Sequence, residues 1–346
     1  MQGGKFMATM KQLWWVDKDQ IELKDVEIPE VKPNEVKVKI AYAALCATDV
    51  HQVTMGVMNS KPPAPLGHEA SGVIAELGEE AAKKGYKVGD KVTLFPGSHC
   101  GGCEWCKRGM EQYCINFKPT GAFAEYVVTD INTIYKLPDD ADLKEYSIVE
   151  PTNCCLRAMD LAPIRHGATV CVAGVGGIGS IMLNQILLSG AARITVIEPV
   201  EQKRQMALEM GAEYVIDPFN EDAVARAMEI TDGLGFDYVF EMSGSPKAAE
   251  TPLKILARCG TAVYFAVFPP TYEMPLNLHE LYMKEGRIQT VFTSTSIMPR
   301  SIKMIKRMQT DKIIQKVMPL SQAVESFEVF KTSKYPKILL DCSDVE

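Results

Sequence analysis

The sequence predicts an α/β chain in two parts, one mostly β and the other a doubly wound parallel sheet, and two rhythms along the chain predict it. Over the first 150 residues, alternating runs such as VKVKIAYA at 36–43 and short glycine-punctuated strands such as VGDKVTLFPG give an all-β reading. From about Thr169 the rhythm changes to TVCVAG, ITVIEP, EYVID, FDYVFEMSG, TAVYFAV and RIQTVFT, with helical stretches such as EQKRQMALEM between them. Such alternation builds a parallel sheet with helices on both faces. A length of 346 residues exceeds one comfortable core, and 47% hydrophobic residues suffice to fill two.

Within the first part, Cys100, Cys103, Cys106 and Cys114 stand as Cys-x2-Cys-x2-Cys-x7-Cys. Two-residue gaps let neighbouring sulfurs bend onto one tetrahedral ion, and Gly101-Gly102 permits the tight backbone. Paired disulfides and an iron–sulfur cluster are the other readings of such a run, and the spacing favours zinc. Four thiolates leave no coordination position open, so this site is structural.

Upstream, LCATDVH at 45–51 and LGHEASG at 66–72 offer Cys46, His68 and Glu69. A mixed sulfur, imidazole and carboxylate set suits a catalytic zinc, which keeps one position for substrate. Glu150 in VEPTNC is the candidate for a further ligand, and Cys154, four residues on, competes with it. Glu69 has two readings: a direct ligand, or a neighbouring carboxylate that swings in during ligand exchange.

The second part opens with TVCVAGVGGIGS at 169–180, where an apolar run ends in Gly174-x-Gly176-Gly177-Ile178-Gly179 and leads into a helical stretch. This is the dinucleotide fingerprint in its proper context. Gly174 allows the turn, Gly176 lets backbone amides approach the pyrophosphate, and Gly179 brings helix and sheet together. The helix N-terminus favours the phosphate charge. Glu198, nineteen residues after Gly179 at the end of ITVIEP, is placed to bind the adenosine ribose hydroxyls and to repel a 2′-phosphate. NAD is thereby favoured over NADP, although Lys203 and Arg204 form a basic pair that could reach such a phosphate.

Together these signals resemble the zinc-containing medium-chain alcohol and polyol dehydrogenases. The resemblance rests on Cys46-Ala-Thr48-Asp49-Val-His51, Gly67-His68-Glu69, the four-cysteine lobe, Glu150-Pro151 and the glycine fingerprint, in family order along nearly the whole chain. The nearest branch holds sorbitol, threonine and butanediol dehydrogenases, because Glu150 stands where simple animal alcohol dehydrogenases carry a cysteine ligand. In that branch the glutamate meets zinc directly or through water. The resemblance implies a GroES-like catalytic domain from 1–155 and 291–346, with a zinc lobe at 96–118, and a Rossmann cofactor domain at 156–290. It also implies reversible oxidation of a secondary alcohol of a polyol-like substrate, two zinc ions per chain, and a homotetramer or homodimer. L-Threonine, a vicinal diol, a sugar phosphate and a catalytically silent NAD-binding regulator are the alternatives.

By the same resemblance, Thr48 carries the hydroxyl that touches the substrate oxygen, His51 passes the proton outward, and Asp49 orients His68. The plainer readings are a turn or helix cap for Thr48 and Asp49, and a surface position for His51. Gln52 and Thr293-Ser294 replace an aromatic residue and an Arg-Tyr pair of sorbitol-type enzymes, which makes sorbitol itself a doubtful substrate. Val267 and Phe268 replace a glycine near the nicotinamide, and Gly177, a proline in many relatives, reads as neutral. His99 reads as exposed lobe, and Cys154, Cys155, Cys171, Cys259 and Cys342 as buried thiols of a reducing compartment. A net charge of −7 without a long basic run predicts no nucleic acid and no anionic membrane as partner. No apolar stretch nears the roughly 20 residues of a span and no signal-peptide core opens the chain, so the expected location is the cytoplasm.

Overall fold

The computed structural model describes residues 8–56, 61–294 and 297–343. Two sheets dominate. A seven-stranded sheet runs in the order Ile134–Lys136, Lys91–Leu94, Glu69–Leu77, Glu35–Ala44, Lys337–Asp341 and Ile314–Pro319, with Tyr126–Asp130 also paired to Glu35–Ala44. Its central strand shows why the alternation forms a strand: Val36, Val38 and Ile40 are fully buried, while Lys37 and Lys39 face outward and Lys37 pairs with Glu76 on the neighbouring strand. The last two strands come from the far end of the chain, so the tail closes the sheet that the N-terminal residues begin.

A six-stranded parallel sheet has the order Tyr214–Ile216, Arg193–Ile197, Thr169–Ala173, Phe236–Glu241, Leu256–Tyr264 and Arg287–Thr290. Strand order reverses beside Thr169–Ala173, which is where a doubly wound sheet leaves a crevice for a dinucleotide. Its central strands are nearly continuous apolar runs because helices cover both faces. The helix Val149–Leu161 packs against Gly177–Leu187 and Met298–Ile305, so Val149, Ile181 and Met298 share one core with Val172 and Phe240 of the sheet.

Three expectations need correction. The first 150 residues are not all β: Thr48, Asp49 and His51 lie on the helix Ala47–Met55, and Glu150 begins another. Cys259 is exposed rather than buried, at a left-handed φ of 60°, where the pairing of Leu256–Tyr264 with its neighbour shifts register and turns the side chain out. His99 is not an exposed lobe residue: its Nδ1 is buried, and the ring sits edge-on to Phe95 with centroids 6.1 Å apart.

Candidate active site

Three strand ends converge to build the site. Ala44 sits opposite Glu69 on one side and Leu339 on the other, and the Leu45 N–H donates to the Ile338 carbonyl at 2.9 Å. One residue further the chain reaches Cys46. The Cys46 sulfur, a His68 ring nitrogen and a Glu69 carboxylate oxygen lie within 4.8 Å of one another, within reach of a single ion.

Asp49 fixes two of these groups. One carboxylate oxygen accepts the Cys46 N–H at 3.1 Å; the other accepts the Gly67 N–H at 3.2 Å and lies 3.2 Å from His68 Nδ1. Asp49 is therefore both a reciprocal cap of its helix and the orienter of the imidazole. Because Nδ1 faces Asp49, Nε2 is left for a metal. Burial alone would lower the His68 pKa, but the Asp49 charge and hydrogen bond outweigh it and hold it well above the ordinary value.

Thr48 places its Oγ1 3.5 Å from the Cys46 sulfur, one turn before His51. Burial lowers the His51 pKa, so this imidazole is neutral at pH 7. Its buried Nδ1 has no hydrogen-bond partner among the described residues. Glu150 does not join the Cys46, His68 and Glu69 group. Its Oε1 accepts from the Cys154 thiol at 3.5 Å, and burial pushes its pKa up to about 7. Burial also raises Cys154 well above an ordinary thiol, so the two candidates hold one another as acceptor and donor.

Lys337, which opens the final strand, is the site residue that sequence reasoning missed. Its ammonium lies 2.7 and 2.6 Å from the two Glu69 oxygens and donates to the Leu45 carbonyl at 3.0 Å, with 2% of the residue exposed. Burial opposes its charge, but Glu69 restores it and the Lys337 pKa is raised. The available signal was a lysine heading the apolar run KILL, where a buried strand leaves no water for an ammonium. The Lys337 stem also passes Gly177: a Cβ there would lie 2.7 Å from the Pro336 carbonyl and 3.4 Å from Lys337 Cδ. The neutral reading of Gly177 is thereby overturned, since this packing excludes a side chain.

The four lobe cysteines also sit with their sulfurs within 4.8 Å of one another. Backbone N–H groups point at them, from Cys100 to Cys114 at 3.3 Å and from Cys103 to Cys100 at 3.4 Å. The N–H groups of Gly102 and Cys103 lower the Cys100 pKa to about 6. Donors aimed at sulfur favour a thiolate at Cys100, the form a structural zinc requires, while desolvation and the neighbouring thiols push Cys106 up to about 12.

At the carboxyl end of Thr169–Ala173, Gly174 turns at φ 94°, and a Cβ on Gly179 would fall 2.0 Å from the Gly174 carbonyl. A Cβ on Gly176 would meet nothing within 4 Å, which leaves room for a pyrophosphate at the start of the helix Gly177–Leu187. Glu198 follows the strand Arg193–Ile197 and accepts the Val175 and Val200 N–H groups, both at 2.9 Å. Arg204 is committed elsewhere, 2.8 Å from Asp217 and from the Glu198 and Pro199 carbonyls. Lys203 is buried, and burial lowers its pKa despite the nearby Glu198.

Comparison with known proteins agrees with this geometry. Residues 32–139 match the alcohol dehydrogenase GroES-like domain, and residues 177–308 match the zinc-binding dehydrogenase model. An L-threonine 3-dehydrogenase of Pyrococcus horikoshii is 31% identical over 335 residues, covering 92% of this chain and 94% of its own. A zinc-binding dehydrogenase structure from Clostridium scindens superposes with a TM-score of 0.91 at 36% identity, covering 96% of this chain and 99% of its own. Another from Sinorhizobium meliloti, bound to NADP, has a TM-score of 0.90 at 27% identity, with 97% and 100% covered. With both halves matched in order and a relative aligned along nearly its whole length, the chain belongs to the zinc-dependent medium-chain alcohol dehydrogenases, oxidoreductases that act on alcohols.

Proposed function

We propose that the chain oxidises, reversibly and with NAD, a secondary alcohol of a polyol-like substrate to the ketone, the hydride passing to the nicotinamide and the hydroxyl proton to solvent. The observation that carries this reading is the grouping of Cys46, His68 and Glu69 beside Thr48, with Lys337 reaching from Glu69 to Gly177 of the glycine turn. These three residues would hold a catalytic zinc, whose chemistry is to make a bound hydroxyl acidic near pH 7, while NAD supplies the hydride acceptor. Glu150 would join through water. The Thr48 hydroxyl would accept the substrate's hydroxyl proton while releasing its own, and neutral His51, one helical turn away, would take up that proton and pass it outward. Asp49 keeps the His68 ring oriented, and Lys337 offsets part of the burial that raises the Glu69 pKa.

NAD is proposed over NADP because the Glu198 carboxylate is fixed at the ribose position while Arg204 is tied to Asp217. A second zinc in the four-cysteine lobe completes the metal content. L-Threonine is the second reading, favoured by the Pyrococcus horikoshii relative; it too is a secondary alcohol with a polar neighbour.

A homo-oligomer is also proposed. Among the described residues no strand pairs with the outer edge of Arg287–Thr290, and beside it the helix Leu278–Lys284 exposes Leu278, Tyr282 and Met283 at 69%, 80% and 63%. A second copy would cover both. No helix of the described residues is long and apolar enough to cross a membrane, and all ten cysteines are unbridged; we infer a cytoplasmic setting.

The test is NAD and NADP reduction across sugar alcohols, vicinal diols, L-threonine and sugar phosphates, with zinc measured on the same sample. Turnover on one class with about two zinc per chain supports the reading. Silence from fully metallated protein on every substrate refutes it. Cys46→Ser and His68→Ala are expected to abolish turnover and keep NAD binding, whereas Cys103→Ser is expected to destabilise the protein.

A further inference from the structure

The four-cysteine lobe touches more than its own loop. Tyr113 immediately precedes Cys114, at the end of a short turn whose Glu111 carbonyl accepts the Cys114 N–H at 2.9 Å. Its position is therefore tied to that of the cysteine. The Tyr113 ring meets Trp105 with centroids 5.5 Å apart, and Arg108 lies 5.7 Å over the Trp105 ring. The same Tyr113 ring stacks on Phe292 at 5.2 Å and an interplanar angle of 25°.

Phe292 lies where the chain leaves the parallel sheet. It follows Arg287–Thr290, the last parallel strand. Strand register runs level from Ala173 through Glu241 and Tyr264 to Thr290, so Phe292 emerges on the same edge as the glycine turn. Just beyond it, Thr293 takes a left-handed φ of 45° and Ser294 is buried. Val291 packs into the core shared by the helices and the parallel sheet. The segment 291–294 is thus held by a packed residue on one side and a sharp turn on the other, and its exposed member rests on the lobe.

We propose that the lobe is a positioning element for the cofactor edge: the metal-organised Tyr113 holds Phe292, and Phe292 holds the strand exit at 291–294 where cofactor and alcohol meet. The last clause rests on the dehydrogenase reading; the mechanical coupling does not. Tyr113 and Phe292 are positioning residues, not catalytic ones. At 45% and 43% exposed, both can be truncated without opening a core.

Hydrogen exchange by mass spectrometry on the zinc-loaded enzyme tests the coupling, with KM and kcat measured in parallel. Phe292→Ala and Tyr113→Ala are each expected to speed exchange at 291–294 by about two- to tenfold, the range an aromatic pair commands. The double variant should go no further than either single one, and Phe292→Tyr should match the wild type. The KM for NAD should rise several-fold with kcat held within about twofold. Unchanged exchange in both single variants overturns the proposal, as does a double variant whose effect multiplies the two. Faster exchange with an unchanged KM overturns the link to the cofactor edge. Faster exchange in a protein that turns over no substrate leaves the coupling standing and sinks the dehydrogenase reading instead.

Discussion

Lys337 and Glu69, 268 residues apart in the chain but on the two strands that flank Glu35–Ala44, form an ion pair of 2.7 and 2.6 Å with 2% and 0% of the two residues exposed. An ammonium so buried is tolerable only beside a carboxylate, and a carboxylate so buried only beside a cation. Burial still raises the Glu69 pKa, and Lys337 offsets part of that rise.

Removing one partner should cost more than removing both. We predict that Lys337→Met lowers stability by about 3–5 kcal/mol, the cost of leaving a buried charge unpaired. Adding Glu69→Gln to it should recover most of that loss. Denaturant unfolding of both variants checks this, and a double variant as unstable as the single one contradicts it.

Asp49 acts on the metal through His68 and the Cys46 N–H. Asp49→Ala is predicted to weaken zinc binding at the catalytic site by about 10–100-fold, as loss of a ligand's hydrogen-bond partner does. Chelator competition reads this directly. Equal zinc retention in variant and wild type would show that Asp49 serves the helix alone.

Glu150 sets a pH dependence whose sign follows from its raised pKa. Between 4.5, the ordinary glutamate value, and about 7 the folded protein holds a proton that the unfolded chain has lost. Stability is therefore full at low pH and is lost as pH rises through that window. The zinc-free protein should melt at a lower temperature at pH 7.5 than at pH 5, and Glu150→Gln should shrink the difference. An identical pH profile in the variant rejects the assignment. His68 and Glu69, also raised, contribute the same sign and remain in the variant, so the difference shrinks rather than vanishes.

Glu198 carries cofactor choice. Glu198→Ala should raise the NADP-to-NAD ratio of kcat/KM about tenfold, roughly the loss of one charge repulsion at the ribose. Because the carboxylate also accepts the Val175 and Val200 N–H groups, NAD affinity should fall as well. A ratio unmoved by the substitution would mean that other groups read the ribose.

Motifs whose partners are near in sequence were legible directly. The four-cysteine run needs only two- and seven-residue gaps to surround an ion, and the glycine turn needs only the strand before it and the helix after it. His68 and Asp49 were legible as a pair because each adjoins a recognisable ligand. The helix Ala47–Met55 showed in the sequence only as the cap reading of Thr48 and Asp49, because nine residues opening on cap residues look like a turn between strands.

By itself, the sequence determined the two-part α/β architecture, the glycine turn and, Glu150 apart, the two groups of side chains that lie close enough to hold an ion, because local spacing and periodicity encode each of them. Only the tertiary structure decided that Lys337 pairs with Glu69, that Gly177 must lack a side chain beneath it, and that Tyr113 stacks on Phe292. Those relations join residues far apart in the chain. They exist because the final strand returns to pair with Glu35–Ala44 and because the last parallel strand exits against the lobe, and no local pattern records where a distant strand will end.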